Sequence, residues 1–295
     1  MAVASQQLQW QRVGLSITGA SHLGAGLPIQ DSMRGLPEGR DPAPVSALVL
    51  ADGHGDKLHF RSAIGAQTAT RLLTDSLTHV AKKLCRTRVT TSLVDALSKK
   101  LAVGLQREWL ERVTLHARCE PFPQRCIGKL GTDERKRLKD SPEVAYGTTF
   151  LSAALTEQWG LLLRLGDGVV AVCDEAGNVT LPFAEQEKSS QKTESLCSPN
   201  AASKVQAHLL DFSESQPPAF VALSTDGYPD AVGGIERFVE RVEIFSGMLR
   251  REGTRRFEAS MRKHLNEVAP NLVDDTTVGL LVRNDFPAKG AMHHG

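Results

Sequence analysis

Apolar residues recur along this chain in two rhythms. Short runs that alternate, or stay apolar throughout, predict strands. They are Trp10 to Thr18 (Val13, Leu15 and Ile17 alternating), Val45 to Ala51, Tyr146 to Leu155, Trp159 to Cys173, Val179 to Phe183, Val205 to Phe212, Phe220 to Ser224 and Val278 to Val282. Helical spacing appears from Phe60 to about Lys83, where Ile64, Ala69, Leu72, Leu73, Leu77, Val80 and Leu84 share a face, and again from Leu93 to Val113. Thr90-Thr91-Ser92 offers N-cap oxygens to the second helix, and Trp109 falls on its apolar stripe as a core residue. Ile235 to Leu249 and Phe257 to Val268 predict another pair. Between these elements, 24–33 reads as a glycine-rich loop. Residues 36–44 read as a proline-rich connection, short enough that the 45–51 strand should pair near the strand before it. Residues 117–143, with Pro121, Pro123, Gly128, Gly131 and Pro142, read as irregular around a solvated basic patch, and 184–200 as a long polar loop. Strand runs separated by helix pairs predict an α+β sandwich with helices outside.

The strands carry acids at their ends. Val45 to Ala51 runs into Asp52-Gly53-His54-Gly55-Asp56, Trp159 to Leu165 into Gly166-Asp167-Gly168, and Phe220 to Leu223 into Ser224-Thr225-Asp226-Gly227-Tyr228-Pro229-Asp230. In reverse, Asp274-Asp275-Thr276-Thr277 opens the strand at Val278, and Asp31 marks a further element boundary. Asp-Gly after a strand is ordinary turn chemistry, so one such place alone says little. The recurrence carries the signal. If the strand at Val278 runs antiparallel to one of the others, the acids collect along one edge. Clustered carboxylates repel one another unless cations sit among them, and oxygen-only ligands select hard ions, Mg²⁺ or Mn²⁺.

Composition narrows the remaining classes. With 295 residues, 41% hydrophobic and 23% charged, the chain has enough apolar mass for a sizeable core. Lys and Arg number 35 against 34 Asp and Glu, so no overall field recommends nucleic acid or an anionic membrane as partner. The arginines at 250, 251, 255, 256 and 262 read as a wet helix exterior. Five cysteines without a C-x-x-C pair argue against a disulfide framework or a zinc knuckle and suit a reducing cytoplasm. No export signal or membrane-spanning run is visible.

In sequence order, Gln30-Asp31, Ala51-Asp52-Gly53-His54-Gly55, Gly147-Thr148-Thr149, Leu165-Gly166-Asp167, Ser224-Thr225-Asp226-Gly227-Tyr228-Pro229-Asp230 and Asp274-Asp275-Thr276-Thr277 resemble the motifs of metal-dependent serine/threonine protein phosphatases of type 2C, in their compact bacterial branch. The resemblance covers about residues 13–283 and implies a single domain over 1–295. It implies a four-layer α-β-β-α sandwich of two antiparallel sheets flanked by helix pairs. It also implies hydrolysis of phosphoserine and phosphothreonine by metal-activated water, with two Mn²⁺ or Mg²⁺ ions and a third, weaker position.

By position, Asp52 resembles the carboxylate that bridges two ions, with the Gly53 carbonyl on one of them. Asp226 and Asp274 resemble direct ligands, Asp31 an acid holding bound water, and Asp167 and Asp230 the acids of the third position. His54 resembles the general acid for the departing alcohol, a role that a histidine with near-neutral pKa suits chemically. The implied partners are a phosphorylated protein substrate and a cytoplasmic serine/threonine kinase. Gly26 stands where many members carry a phosphate-clasping arginine, with Arg34, Arg61, Arg164 or His22 as substitutes to weigh. That gap supports an alternative, a phosphatase-like module that binds a kinase or phosphoprotein without catalysis. A third class is a metal-dependent hydrolase of small phosphate esters.

Overall fold

The computed structural model describes residues 7–39, 41–183, 194–268 and 272–286. Two five-stranded antiparallel sheets lie face to face between helices. One sheet has the order β1 (Trp10–Ile17), β10 (Thr276–Arg283), β9 (Phe220–Ser224), β6 (Val169–Cys173), β7 (Val179–Thr180). The other runs β2 (Ser32–Leu36), β3 (Ser46–Ala51), β4 (Phe150–Leu155), β5 (Trp159–Leu165), β8 (Gln206–Asp211).

Side-chain alternation explains why the inner strands are apolar along their whole length. In β3, Ala47, Val49 and Ala51 join the core under α2 (Ser62–Leu84) and α3 (Thr91–Cys119), while Leu48 and Leu50 face the opposite sheet. In β10, Val278, Leu280 and Val282 pack toward α7 (Gly227–Val232) and α8 (Ile235–Val268), while Leu281 joins Leu48, Leu151 and Val221 between the sheets. Three cores thus separate four layers. Thr90 caps α3 by accepting from Leu93 N at 3.4 Å, and Trp109 is fully buried, its Nε1 donating to Gly65 O at 2.9 Å. The two expected C-terminal helices form α8, broken at Gly253 (φ 69°, ψ 170°). None of the helices among the described residues is long and apolar enough to cross a membrane.

Four expectations change. Residues 117–143 are largely helical: α3 runs on to Cys119 and is followed by α4 (Gln124–Ile127), α5 (Thr132–Asp140) and a 3-10 turn, Pro142–Tyr146. The glycine-rich stretch holds α1 (Ala20–Ala25) and leads into β2, an edge strand that charge and Gly35 hide in the sequence. The 45–51 strand pairs with β2 and β4, and β1 lies in the other sheet, touching this connection only through the Trp10–Ala43 bridge. Trp159 to Cys173 divides at Gly166-Asp167-Gly168, where the chain leaves one sheet for the other. In the 184–200 loop, residues 184–193 lie outside the described set, and the short α6 (Ala201–Lys204) follows it.

Candidate active site

β10 is antiparallel to β9, with Val278 opposite Ser224, so Asp226 beyond the end of one strand meets Asp274 before the start of the other. β3 and the β5–β6 crossing deliver Asp52 and Asp167 to the same end. Oxygens of Asp52, Asp167 and Asp226 come within 4.8 Å of one another. A cleft of about 300 Å³ is lined by these three with Asp274, His54 and Thr149, and also by Gly55, Asp56 and His59.

Backbone contacts fix this geometry. Thr149 N and Thr148 Oγ1 both donate to Asp52 O, at 2.8 and 2.7 Å, and His54 N donates to Gly147 O at 3.2 Å. Gly147-Thr148-Thr149 therefore clamps the turn that carries Asp52 and His54. On the other side, Thr225 N donates to Thr277 O at 3.0 Å and Thr225 Oγ1 to Asp31 Oδ2 at 2.9 Å. Asp226 then opens α7, and the close approach requires Gly227: a Cβ there would stand 2.2 Å from Asp275 O. With its amide nitrogen turned inward, Gln30 reaches the carbonyls of Gly53 and His54 at 3.2 Å, leaving each carbonyl a second lone pair.

Burial and mutual repulsion raise the pKa values of Asp52, Asp226 and Asp31 above the usual carboxylate range. Burial raises Asp52 well above the usual carboxylate range, and the charges of Asp31 and Asp226 push it further. Burial, then Asp167, brings Asp226 to about 6, and burial brings Asp31 to about 7 against hydrogen bonds from Thr277 and Thr225. Asp31 Oδ1 is buried without a hydrogen-bond partner. No Lys or Arg lines the cleft among the described residues. Converging carboxylates, no lining cation and an orphaned buried oxygen together fit a hard divalent ion.

A pH effect follows from these shifts. An acid whose folded pKa exceeds its unfolded value near 4 binds its proton more tightly in the folded state, so stability falls as pH rises through that interval. The metal-stripped protein is expected to melt at progressively lower temperature from about pH 5 to pH 7.5, with Mn²⁺ restoring the loss at the upper end. A slope that survives unchanged in Asp226→Asn would assign it to other groups.

The expected residues do not all meet. Asp274 is largely exposed and sits on the cleft wall, while Asp167, expected at a weaker position, belongs to the tight trio. Asp230 is exposed in the first turn of α7; its charge raises Asp226, but it stands outside the trio. Asp275 is buried and structural, accepting from Gly19 N at 2.9 Å and Gln30 N at 2.5 Å. His54 is held down to about 4, by burial first and then by His59. His59, which sequence reasoning passed over, stacks edge-on to His54 with ring centroids 4.8 Å apart. Its Nδ1 donates to Val144 O, and burial lowers its pKa. Only its place three residues after Asp56 hinted at this, because Val144 arrives from the 3-10 turn.

A family model described as Protein phosphatase 2C matches residues 18–268. The chain belongs to the protein phosphatase 2C family. Solved structures agree on the fold. The serine/threonine phosphatase Stp1 from Staphylococcus aureus is 12% identical, with a TM-score of 0.55 over 96% of this chain and 99% of that one. PppA, described as a key regulatory component of T6SS in Pseudomonas aeruginosa, is 13% identical, with a TM-score of 0.56 over 93% and 97%. The catalytic domain of the serine threonine protein phosphatase PstP, in complex with two manganese ions, is 14% identical, with a TM-score of 0.53 over 94% and 99%. No curated protein sequence matches the chain.

In this member of the family, the glycine at the arginine register has a structural reason. Gly26 caps α1 in the left-handed region at φ 63°, a conformation that penalises any Cβ. Nor does a considered arginine replace it. Arg34 pairs with Asp75 at 3.5 Å, Arg61 bonds Tyr146 Oη at 2.7 Å over the Phe122 ring, and buried Arg164 bonds Gln206 at 2.8 Å. His22 does approach: its Nδ1 lies 2.9 Å from Asp275 Oδ2 and its Nε2 4.0 Å from Asp274 Oδ1.

Proposed function

We infer that this chain hydrolyses phosphoserine and phosphothreonine in proteins, using Mn²⁺ or Mg²⁺. Asp52, Asp226 and Asp274 would hold the ions with the Gly53 carbonyl, Asp167 and Asp230 would serve a further cation position, and Asp31 would hold water beside them. The observation that carries this reading is the convergence of Asp52, Asp167 and Asp226, from three separate strand ends, into one cleft that no Lys or Arg lines among the described residues. Such ions neutralise phosphate charge and lower the pKa of water toward neutrality.

The protein's own groups do the rest. The threonine clamp keeps Asp52 and His54 in fixed relation. His54, neutral at pH 7 in the bare cleft, gains affinity for a proton when a phosphate dianion enters beside it, and it can then pass that proton to the departing Ser or Thr oxygen. His59, anchored on Val144, holds one side of the His54 ring. A thiolate nucleophile has no place in this scheme: no cysteine lines the cleft, and burial pushes Cys173 up to about 11. The reading extends to a cytoplasmic protein that reverses the work of a serine/threonine kinase.

Purified protein is expected to turn over p-nitrophenyl phosphate and a phosphothreonine peptide with Mn²⁺ or Mg²⁺, to lose this with EDTA and to regain it on metal addition. Absence of turnover with both metals would end the reading. With Arg34, Arg61 and Arg164 engaged elsewhere, the alternative is a catalytically weak or inactive phosphatase-like module that binds a kinase or phosphoprotein. Calorimetry separates the two, because the module predicts partner binding without metal uptake.

A further inference from the structure

Three exposed apolar side chains sit on two hydrogen-bonded segments that adjoin the cleft. Leu23 is 68% exposed, Leu27 44% and Val273 73%. Among the described residues the other large apolar side chains this exposed are Val103, Leu115 and Ile244, on α3 and α8. Single exposed apolar residues are normal, whereas several on adjoining segments beside a polar site mark a contact surface.

Backbone hydrogen bonds assemble the group from two distant segments. Ala20 N donates to Leu272 O at 2.8 Å and Ser21 N to Val273 O at 3.2 Å, which lays α1 along the residues leading into Asp274. Leu27 N then donates back to His22 O at 2.9 Å, returning the chain over α1. Each segment adjoins the cleft. Asp274, which follows Val273, lines it, and His22, which precedes Leu23, has its Nε2 4.0 Å from Asp274 Oδ1. Gly55, another lining residue, lies beside the same nitrogen: a Cβ there would be 3.6 Å from it. Moreover, no Asp, Glu, Lys or Arg occurs between Arg12 and Asp31, so the α1 segment adds no carboxylate, lysine or arginine of its own to the rim.

We propose that the Leu23–Leu27–Val273 rim receives an apolar side chain of the protein substrate, close in sequence to the phosphorylated residue. The proposal rests on the phosphatase reading and adds a substrate class to it. Continuity with the cleft selects this occupant: a peptide whose phosphate reaches the acids passes over the adjoining rim. At about 3.4 Å per extended residue, Leu, Ile, Val or Phe within about three positions of the phosphoresidue is in reach. An anionic membrane is disfavoured, because the rim is bordered by Asp274 and the cleft acids rather than by basic side chains.

The test uses paired phosphothreonine peptides, identical except for Leu or Ser at those flanking positions. Wild type is compared with the triple variant Leu23→Ser, Leu27→Ser, Val273→Ser. Wild type should favour the Leu peptide about tenfold in kcat/KM, as expected for partial burial of one aliphatic side chain. The triple variant should lose that preference while p-nitrophenyl phosphate turnover is unchanged. Binding of fluorescent peptides bearing a hydrolysis-resistant phosphonate, read by anisotropy, gives the same comparison without turnover. If p-nitrophenyl phosphate is not hydrolysed but the binding preference is present and lost in the variant, the rim stands and the catalytic reading fails. Equal handling of the two peptides by wild type overturns the proposal. So does a variant that loses p-nitrophenyl phosphate turnover equally, or a wild-type dimer or binding to neutral lipid vesicles that the substitutions abolish.

Discussion

Asp52→Asn is expected to lower kcat/KM on p-nitrophenyl phosphate with Mn²⁺ by at least about a thousandfold, about 4 kcal/mol of transition-state stabilisation. Asp52 stands centrally: its oxygens approach those of Asp167 and Asp226, and the charges of Asp31, Asp226 and Asp274 all act on it. Asparagine keeps the shape and removes the charge that would draw in cations. The same change relieves repulsion in the metal-stripped protein, so its melting temperature in EDTA should rise. Steady-state kinetics and thermal denaturation on one preparation read both effects. Activity within tenfold of wild type would remove Asp52 from the centre of the mechanism, and a collapsed fold would point to a structural role.

Trp109→Ala is expected to cost about 3–5 kcal/mol, a large part of the 5–15 kcal/mol that holds a typical domain together. The indole is fully buried between α3 and α2 and satisfies Gly65 O through its Nε1. The space around it is set by a close approach, since a Cβ on Gly65 would stand 1.8 Å from Tyr146 O. Neighbouring groups are therefore poorly placed to fill the hole, and the carbonyl loses its donor as well. Urea denaturation should show a lower midpoint with an unchanged slope; a shift under about 1 kcal/mol would mean that α2 and α3 close over the cavity.

The acid turns were legible because each pairs a strand-like apolar run with glycine and carboxylate, and the residues just beyond a strand end are the ones a sheet leaves exposed. Helices α2, α3 and the two limbs of α8 were legible from spacing, including the interruption near Gly253. The β5–β6 crossing was hidden because both strands are buried on both faces. An apolar run reads alike whether it stays in its sheet or, at Gly166-Asp167-Gly168, changes to the other. Helix α5 was hidden by charge: only Leu138 is buried along it. His59 could not be assigned from sequence because its anchor, Val144, lies far along the chain. The fates of Arg34, Arg61 and Arg164 likewise depend on partners from other elements, which local pattern does not encode.

The pairing of β1 with β10 places Ile17 opposite Thr276 beside the acids and Trp10 opposite Arg283 at the far end of the sheet. Over seven residue steps of about 3.4 Å, those ends are separated by about 24 Å. The chain thus enters β1 and leaves β10 at the end of the sheet away from the acid cleft, so a change made at Trp10 or Arg283 acts on that cleft only through the length of both strands.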